Sequence, residues 1–164
     1  MEVIKREIYL KRLIEHRENG LIKVVTGIRR CGKSYLLFKL YYQYLLDSGV
    51  DAFRIIRIPL DDEDYEDLRD SKQLNSYVKK HITDEGMWYV FLDEVQMCKG
   101  FESVLNGLNR KENLDIYVTG SNSKFLSSDV LTEFRGRGDE VRIYPLSFSE
   151  YVSAYSGDKY ASCI

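Results

Sequence analysis

A short loop with two glycines, set between an apolar run and a helix-like run, constrains the fold of this chain most. The stretch VVTGIRRCGKSYLL covers residues 24–37, and its segment 27–34 fits the pattern G-x-x-x-x-G-K-[ST] without a mismatch. Glycines let such a loop wrap closely, so that successive backbone N–H groups point at one anion. The start of the following helix adds its positive end. The stretch therefore predicts a strand, a phosphate-binding loop and a helix, in that order.

Each position of this loop has a role toward a nucleoside triphosphate. Lys33 is expected to reach the β- and γ-phosphates, and Ser34 is expected to ligate Mg²⁺ through its hydroxyl. An ordinary glycine turn is the alternative, and only partners elsewhere in the chain can decide between the two. The residues predicted to bind the nucleotide are Gly27, Ile28, Arg29, Arg30, Cys31, Gly32, Lys33, Ser34 and Tyr35.

The rest of the chain alternates strand-like runs with helix-like runs. Apolar runs rich in β-favouring residues predict strands at 21–26, 53–60, 87–94, 115–120 and 140–146. Apolar residues at helical spacing predict helices at 3–17, 33–49, 71–83, 101–111, near 123–134 and from 147 onward. This alternation argues for an α/β domain whose mainly parallel five-stranded sheet is covered by helices on both faces.

Composition limits the class of protein. The chain has 164 residues, of which 44% are hydrophobic and 30% are charged, as in an ordinary globular domain. A formal charge of −2 gives no general case for nucleic-acid binding, although a local basic patch would still allow it. No apolar run approaches the roughly 20 residues that span a bilayer. Cys31, Cys98 and Cys163 are too widely spaced for a zinc site or a disulfide framework, which favours the cytoplasm.

An acidic pair ends the predicted third strand. The run WYVFLDE ends in Asp93 and Glu94, and it resembles a Walker B element, in which an apolar strand carries an Asp to its carboxyl end. Ligands of open α/β sheets bind at that edge. Asp93 is therefore the predicted second protein ligand of Mg²⁺. Glu94 is the predicted general base that polarises the attacking water.

Polar residues also follow the fourth predicted strand, in the run DIYVTGSNS. They place Thr119, Ser121 and Asn122 at a strand end, where a polar side chain can sense the γ-phosphate. Ser121 and Asn122 are both candidates for this sensor. The alternative is a turn whose Ser or Asn caps the next helix.

Two arginines lie just before the fifth predicted strand. Arg135 and Arg137, in the run EFRGRGDEV, are candidates for an arginine finger that stabilises charge on the transferred phosphoryl group, supplied by a neighbouring subunit. A solvated basic turn is the alternative.

The glutamate directly after the Asp, together with the other motifs, supports a family resemblance. The Asp-Glu pair resembles that of the P-loop proteins with an additional strand between the two Walker strands. This resemblance implies the sheet order 5-1-4-3-2. The series TGIRRCGKS, VFLDEVQ, YVTGSNS, RGRG and YPLSFSEY resembles the AAA-type ATPase domain of a prokaryotic P-loop family, sometimes grouped with the STAND ATPases. That family often carries a further C-terminal domain. The resemblance implies one ATPase domain over 1–164, with a leading helix at 1–18 and a C-terminal helical region beginning at 147–164.

The function expected from these observations is ATP binding and Mg²⁺-dependent ATP hydrolysis that drives a conformational switch in the cytoplasm. ATP and ADP are the expected ligands, and a homo-oligomer or a C-terminal domain outside this chain is the expected protein partner. A nucleotide-responsive binding module with negligible turnover is one alternative. A small-molecule phosphotransferase is disfavoured by the Asp-Glu pair. A DNA-stimulated ATPase gains no support from the acidic balance of charge.

Overall fold

A fully parallel sheet is the centre of the fold. The computed structural model describes residues 7–27, 32–121, 134 and 136–143. Within these residues the strands are β1 (Ile22–Thr26), β2 (Ile55–Pro59), β3 (Trp88–Asp93), β4 (Leu114–Thr119) and β5 (Gly138–Arg142). Their spatial order is β2-β3-β4-β1-β5, and each neighbouring pair is parallel. Read from the other edge this is 5-1-4-3-2, so the predicted topology is confirmed.

The helices connect these strands in the alternating order that the sequence predicts. In the described residues they are α1 (Glu7–Glu15), α2 (Lys33–Tyr35), a π-helical segment (Leu36–Tyr41), α3 (Tyr42–Asp47), α4 (Ser71–His81) and α5 (Phe101–Leu108). Short 3₁₀ turns cover Ala52–Arg54, Glu63–Arg69 and Val95–Met97. Residues 1–6, residues 123–133 of the helix predicted near 123–134, and the helix predicted from 147 lie outside the described residues.

Two hydrophobic layers hold the sheet between the helices. All six residues of β3 and all six of β4 are buried, as expected for strands covered on both faces. One face packs against α4 and α5, through side chains such as Leu74 and Leu105. The opposite face packs against α1, the π-helical segment and α3, through side chains such as Leu13 and Leu45. The three-layer α/β/α arrangement follows from these two clusters.

The helix after the glycine loop differs from the regular helix predicted at 33–49. A π-helical segment brings Leu36 and Tyr41, five residues apart, onto the buried side of the helix. The ring of Tyr41 packs against Phe91 and Tyr117, with centroids 5.8 and 4.8 Å away. These contacts to β3 and β4 explain the wider turn, and they join residues too distant in sequence for periodicity to reveal.

The last strand also begins and ends earlier than predicted. β5 covers Gly138–Arg142, whereas the apolar pattern predicts 140–146. The shift follows from pairing, because the register of β5 on β1 runs from Gly138 opposite Ile22 to Arg142 opposite Thr26. Residues 144–146 lie outside the described residues.

A polar cluster, buried except for Asn19, lies on the α1 side of the sheet, near the amino ends of its strands. We call it the amino-edge cluster; its members are Asn19, Lys23, Tyr41, Asp115 and Tyr117. Lys23 Nζ donates to Asp115 Oδ1 at 2.5 Å and to Asn19 Oδ1 at 3.0 Å. The Tyr117 hydroxyl donates to Asp115 Oδ2 at 2.6 Å and lies 2.5 Å from the Tyr41 hydroxyl. Lys23 is 0% and Asp115 3% exposed, so this ion pair is part of the core.

Candidate functional site

The glycine loop lies at the carboxyl edge of the sheet, directly after β1. Gly27 must be glycine, because a Cβ on its backbone would lie 2.6 Å from the carbonyl oxygen of Ile143. Gly32 has φ 79°, a left-handed conformation that glycine adopts without strain, and it caps α2. The loop is therefore shaped at both described ends by glycine. Four of its predicted residues lie outside the described residues: Ile28, Arg29, Arg30 and Cys31.

Lys33 begins α2 and is held inside the loop. Its side chain is buried, with 4% of the residue exposed, and Nζ donates to the carbonyl oxygen of Gly27 at 3.0 Å. The ammonium group therefore lies against the first glycine of the pattern, in the first turn of the helix that follows the loop. This combination attracts an anion such as a phosphate. Tyr35, also predicted to belong to the loop, follows two residues later and is partly buried, and this burial raises the pKa of its hydroxyl.

Asp93 meets two hydroxyl groups where β3 ends. Ser34 Oγ donates to its carboxylate, with distances of 2.8 and 2.7 Å to Oδ1 and Oδ2. Thr119 Oγ1 donates to Oδ1 at 2.5 Å from the end of β4. Burial raises the pKa of Asp93, while the two hydroxyl donors act in the opposite direction. The structure thus brings together Ser34 and Asp93, the two residues predicted to ligate a metal.

The side-chain oxygens at this position suit a Mg²⁺ ion that a nucleotide also binds. Mg²⁺ prefers oxygen ligands and is usually held by one or two protein oxygens, with water and phosphate oxygens completing its shell. Within the described part of the chain, no group of three or more His, Cys, Asp or Glu side chains gathers to bind a metal on its own. A cation at Ser34 and Asp93 would therefore need further oxygens from phosphate or water.

Glu94 has an unusual backbone conformation and a well-defined hydrogen-bond environment. Its φ and ψ are 53° and 54°, which place a residue other than glycine in the left-handed region. Its N–H donates to Thr119 Oγ1 at 2.9 Å. Its carboxylate accepts from Ser121 Oγ, 2.9 Å from Oε2 and 3.2 Å from Oε1, and from Gln96 Nε2, 2.5 Å from Oε2. The site therefore holds this carboxylate beside Asp93 at the loop.

Two residues of the site make contacts that the sequence did not predict, although Thr119 was already placed at the strand end with the sensor candidates. Thr119 accepts from the Glu94 N–H and donates to Asp93, so one hydroxyl joins the two acidic residues. Gln96 donates to the Glu94 carboxylate from the 3₁₀ turn after β3. The sequence gives only weak signals for these contacts. Thr119 is the last residue of the run DIYVT, and Gln96 is the last residue of the motif DEVQ.

The two remaining predicted residues that the structure describes, Ser121 and Arg137, lie at opposite edges of the sheet. Ser121 contacts Glu94, as expected of a side chain at the end of β4. Arg137 is exposed and lies at the opposite edge, because its carbonyl oxygen accepts from the N–H of Ile22 at 2.7 Å, where β1 begins. Arg137 is therefore distant from the glycine loop of its own chain. Asn122 and Arg135 lie outside the described residues.

The sheet order and the loop together define a P-loop NTPase domain. The family model described as "AAA domain" matches residues 19–152. The chain therefore belongs to the AAA domain family, and it is a nucleotide-binding, ATPase-like module.

Relatives and solved structures agree with this assignment. An uncharacterized protein of Haemophilus influenzae is 34% identical over 157 residues, covering 95% of this chain and 39% of that protein. The structure of a DNA polymerase III gamma subunit-related protein from Thermotoga maritima matches with a TM-score of 0.64 and 13% identity, over 95% of this chain and 52% of that one. AMPPCP-bound DnaA from Aquifex aeolicus matches with a TM-score of 0.58 and 19% identity, over 90% and 48%. Such distant structural matches show the fold alone.

The chain spans about two fifths of the length of the Haemophilus relative. In the portion described by the structure, none of the helices combines the length and the apolar character needed to cross a membrane.

Proposed function

We propose that this domain binds ATP together with Mg²⁺ and hydrolyses the γ-phosphate. One observation carries the proposal: Ser34, which follows the loop lysine, is hydrogen-bonded to Asp93, and the next residue, Glu94, presents its carboxylate at the same edge. In this proposal the phosphate-binding group, the pair of metal ligands and the base lie within one site. The AMPPCP in Aquifex DnaA supports an adenine nucleotide as the ligand.

In this proposal each residue acts on a defined part of the nucleotide. Lys33 and the loop N–H groups bind the β- and γ-phosphates and stabilise the charge that develops on them. Ser34 and Asp93 would hold Mg²⁺, which would neutralise phosphate charge when bound. Glu94 accepts a proton from the water that attacks the γ-phosphorus, and ADP leaves as the bridging P–O bond breaks. Ser121 is the sensor candidate that the described residues support, since it contacts Glu94.

The larger-scale parts of the proposal follow from the same site. Ser121, just after β4, and Glu94, just after β3, contact each other, so a change at the γ-phosphate can alter the segments that follow both strands. We propose that the chain works in the cytoplasm as one ATPase domain over 1–164. Arg135 or Arg137 would then act on the site of a neighbouring copy. Residues 147–164 would lead into a further helical region.

A second candidate is a nucleotide-responsive module with negligible turnover. The position of Arg137 favours it, because this arginine is at the edge of the sheet opposite its own loop. Without an arginine from a neighbouring copy, the described residues would leave the stabilisation of phosphoryl charge to Lys33, the metal and the loop N–H groups. Binding without phosphate release would identify this candidate.

The test is a calorimetric titration of ATP and Mg²⁺ into the protein, with phosphate release followed on the same samples. We expect Lys33→Ala to lose binding, and Glu94→Gln to bind ATP while losing turnover. The matched controls are Lys80→Ala and Glu85→Gln, which change exposed residues outside the site. A folded parent protein that binds no ATP would contradict the proposal.

A further inference from the structure

The two oxygens of the Glu94 carboxylate have different surroundings. Oε2 accepts from Gln96 Nε2 at 2.5 Å and lies 2.9 Å from Ser121 Oγ. Oε1 lies 3.2 Å from Ser121 Oγ. A serine hydroxyl has one hydrogen and donates best to the nearer oxygen. Oε2 is therefore the oxygen that accepts two hydrogen bonds. Oε1 keeps most of its capacity to accept a proton.

The backbone of Glu94 is fixed as well. Its N–H donates to Thr119 Oγ1 at 2.9 Å, and its carbonyl oxygen accepts from the N–H of Met97 at 3.0 Å. These bonds hold the left-handed conformation from which the side chain begins. What remains free is rotation about the side-chain bonds, and the contacts to Oε2 are those that limit it.

The orientation of the Gln96 amide toward Glu94 leaves its carbonyl oxygen in an unfavourable environment. Its Oε1 is buried, and among the described residues this oxygen has no hydrogen-bond partner. A buried carbonyl without a partner is unfavourable. The reverse orientation would bring this carbonyl against a carboxylate, which also only accepts. In the described part of the chain, the fold therefore leaves Gln96 Oε1 unpaired and keeps the Gln96 side-chain N–H hydrogen-bonded to the Glu94 carboxylate. Such an unpaired buried group is typical of a functional site.

We propose that Gln96 is a positioning residue for Glu94. Its amide anchors Oε2, so that Oε1 is the oxygen presented to the attacking water. The water O–H bond then breaks toward Oε1 while its oxygen bonds to phosphorus and the bond to the ADP oxygen breaks. This inference rests on the proposed ATP hydrolysis, since only that reaction gives Glu94 a proton to accept.

The kinetic test compares Gln96→Leu and Gln96→Glu with the parent. Leucine removes the amide, whereas glutamate keeps the length and shape but loses the N–H donor. We expect either change to lower kcat by roughly tenfold or more while the Kd for ATP stays within about twofold. A merely structural role for Gln96 would instead weaken binding and thermal stability together. A kcat within about twofold of the parent, or a higher one, would overturn the proposal.

Gln43→Leu is the matched control, because Gln43 also donates to a carboxylate, Asp47 Oδ1 at 2.9 Å, but does so on the exposed surface of α3. We expect this variant to keep the kcat of the parent. A loss equal to that of Gln96→Leu would show that losing a glutamine–carboxylate bond anywhere is enough, and would overturn the specific role.

A second measurement tests the anchor without turnover. In the nucleotide-free protein, the side-chain amide resonances of Gln96 should move when Glu94 is changed to alanine, while those of Gln43 should not. Resonances of Gln96 that ignore Glu94→Ala would overturn the anchor even if ATP is hydrolysed. Conversely, a parent without phosphate release would contradict the proposed function. The amide spectrum alone would then show whether the Gln96 amide is hydrogen-bonded to Glu94.

Discussion

The two polar clusters at opposite edges of the sheet differ in how completely their groups are paired. In the amino-edge cluster, Lys23 and Asp115 bond each other, and Asp115 Oδ2 accepts from both Tyr117 and the N–H of Glu18. At the carboxyl edge, Glu94 has a strained backbone, and Gln96 Oε1 is buried without a partner in the described chain. Both clusters use polar residues of neighbouring strands. The comparison teaches that a saturated polar cluster supports the fold, whereas an unsaturated one retains capacity for a ligand.

Breaking the saturated cluster should have the largest effect on stability. Lys23→Ala leaves the carboxylate of Asp115 buried without its cation, and we expect a loss of about 3–5 kcal/mol in the free energy of unfolding. Urea denaturation of parent and variant measures it. Lys23→Met combined with Asp115→Leu is the matched control, and it should recover most of the loss because no charge stays buried. A loss below about 1 kcal/mol in the single variant would contradict the structural role.

Removing the hydroxyl that joins the acidic residues should have a smaller effect on stability. Thr119→Val keeps the shape but leaves the Glu94 N–H and Asp93 without this partner, which we expect to cost about 1–2 kcal/mol. Phosphate release should fall in parallel, since Glu94 and Asp93 are no longer held together. Thr119→Ser retains the hydroxyl and should keep most of the activity. Equal activity in Thr119→Val and the parent would argue that the Thr119 hydroxyl does not hold Asp93 and Glu94 in place for the reaction.

Relieving strain at the carboxyl edge should stabilise the protein slightly. Glycine tolerates the left-handed backbone of residue 94, so we expect Glu94→Gly to raise the free energy of unfolding by up to about 1 kcal/mol and to abolish ATP hydrolysis. Opposite signs for stability and activity would mark a functional residue. Glu85→Gly, at an exposed position, is the control. A clear destabilisation by Glu94→Gly would place Glu94 among the residues that support the fold.

The smallest expected effect is a pH dependence beside the amino-edge cluster. Burial raises the pKa of Tyr89, which lies against Arg17, to about 12 from its ordinary value of 10.0. The unfolded chain therefore loses this proton first, so stability is full below pH 10 and falls as the pH rises toward 12. At pH 10 the loss from this group is about 0.4 kcal/mol. The difference between the parent and Tyr89→Phe, measured by urea denaturation at pH 7 and 10, should show it; no change in that difference would contradict the burial argument.

The fold was predictable because its signals are local. Gly32 and Lys33 belong to one continuous pattern, and Asp93 and Ser121 each follow an apolar run that predicts a strand. Once the strands are parallel, their carboxyl ends must meet at one edge. The sheet order followed from a family resemblance that the single glutamate after Asp93 strengthened.

The finer contacts were not predictable because they join residues distant in sequence. The partner of Lys23 is Asp115, 92 positions away, and the hydroxyl of Thr119 reaches Asp93 across 26 positions. The limits of β5 depend on its register with β1 rather than on its own apolar residues. No local pattern contains such pairings. Gln96 is only two positions from Glu94, but the sequence does not show that its amide donates to the Glu94 carboxylate.

The measurement that tests the central claim most directly is phosphate release from ATP and Mg²⁺ by the parent and by Glu94→Gln, with ATP binding measured on both proteins. We expect equal binding, with release in the parent that falls by at least about a hundredfold in the variant. This result would show that Glu94 acts in hydrolysis rather than in binding. Equal release by both proteins, or a parent that binds ATP without releasing phosphate, would contradict the account of a hydrolytic site at the carboxyl edge.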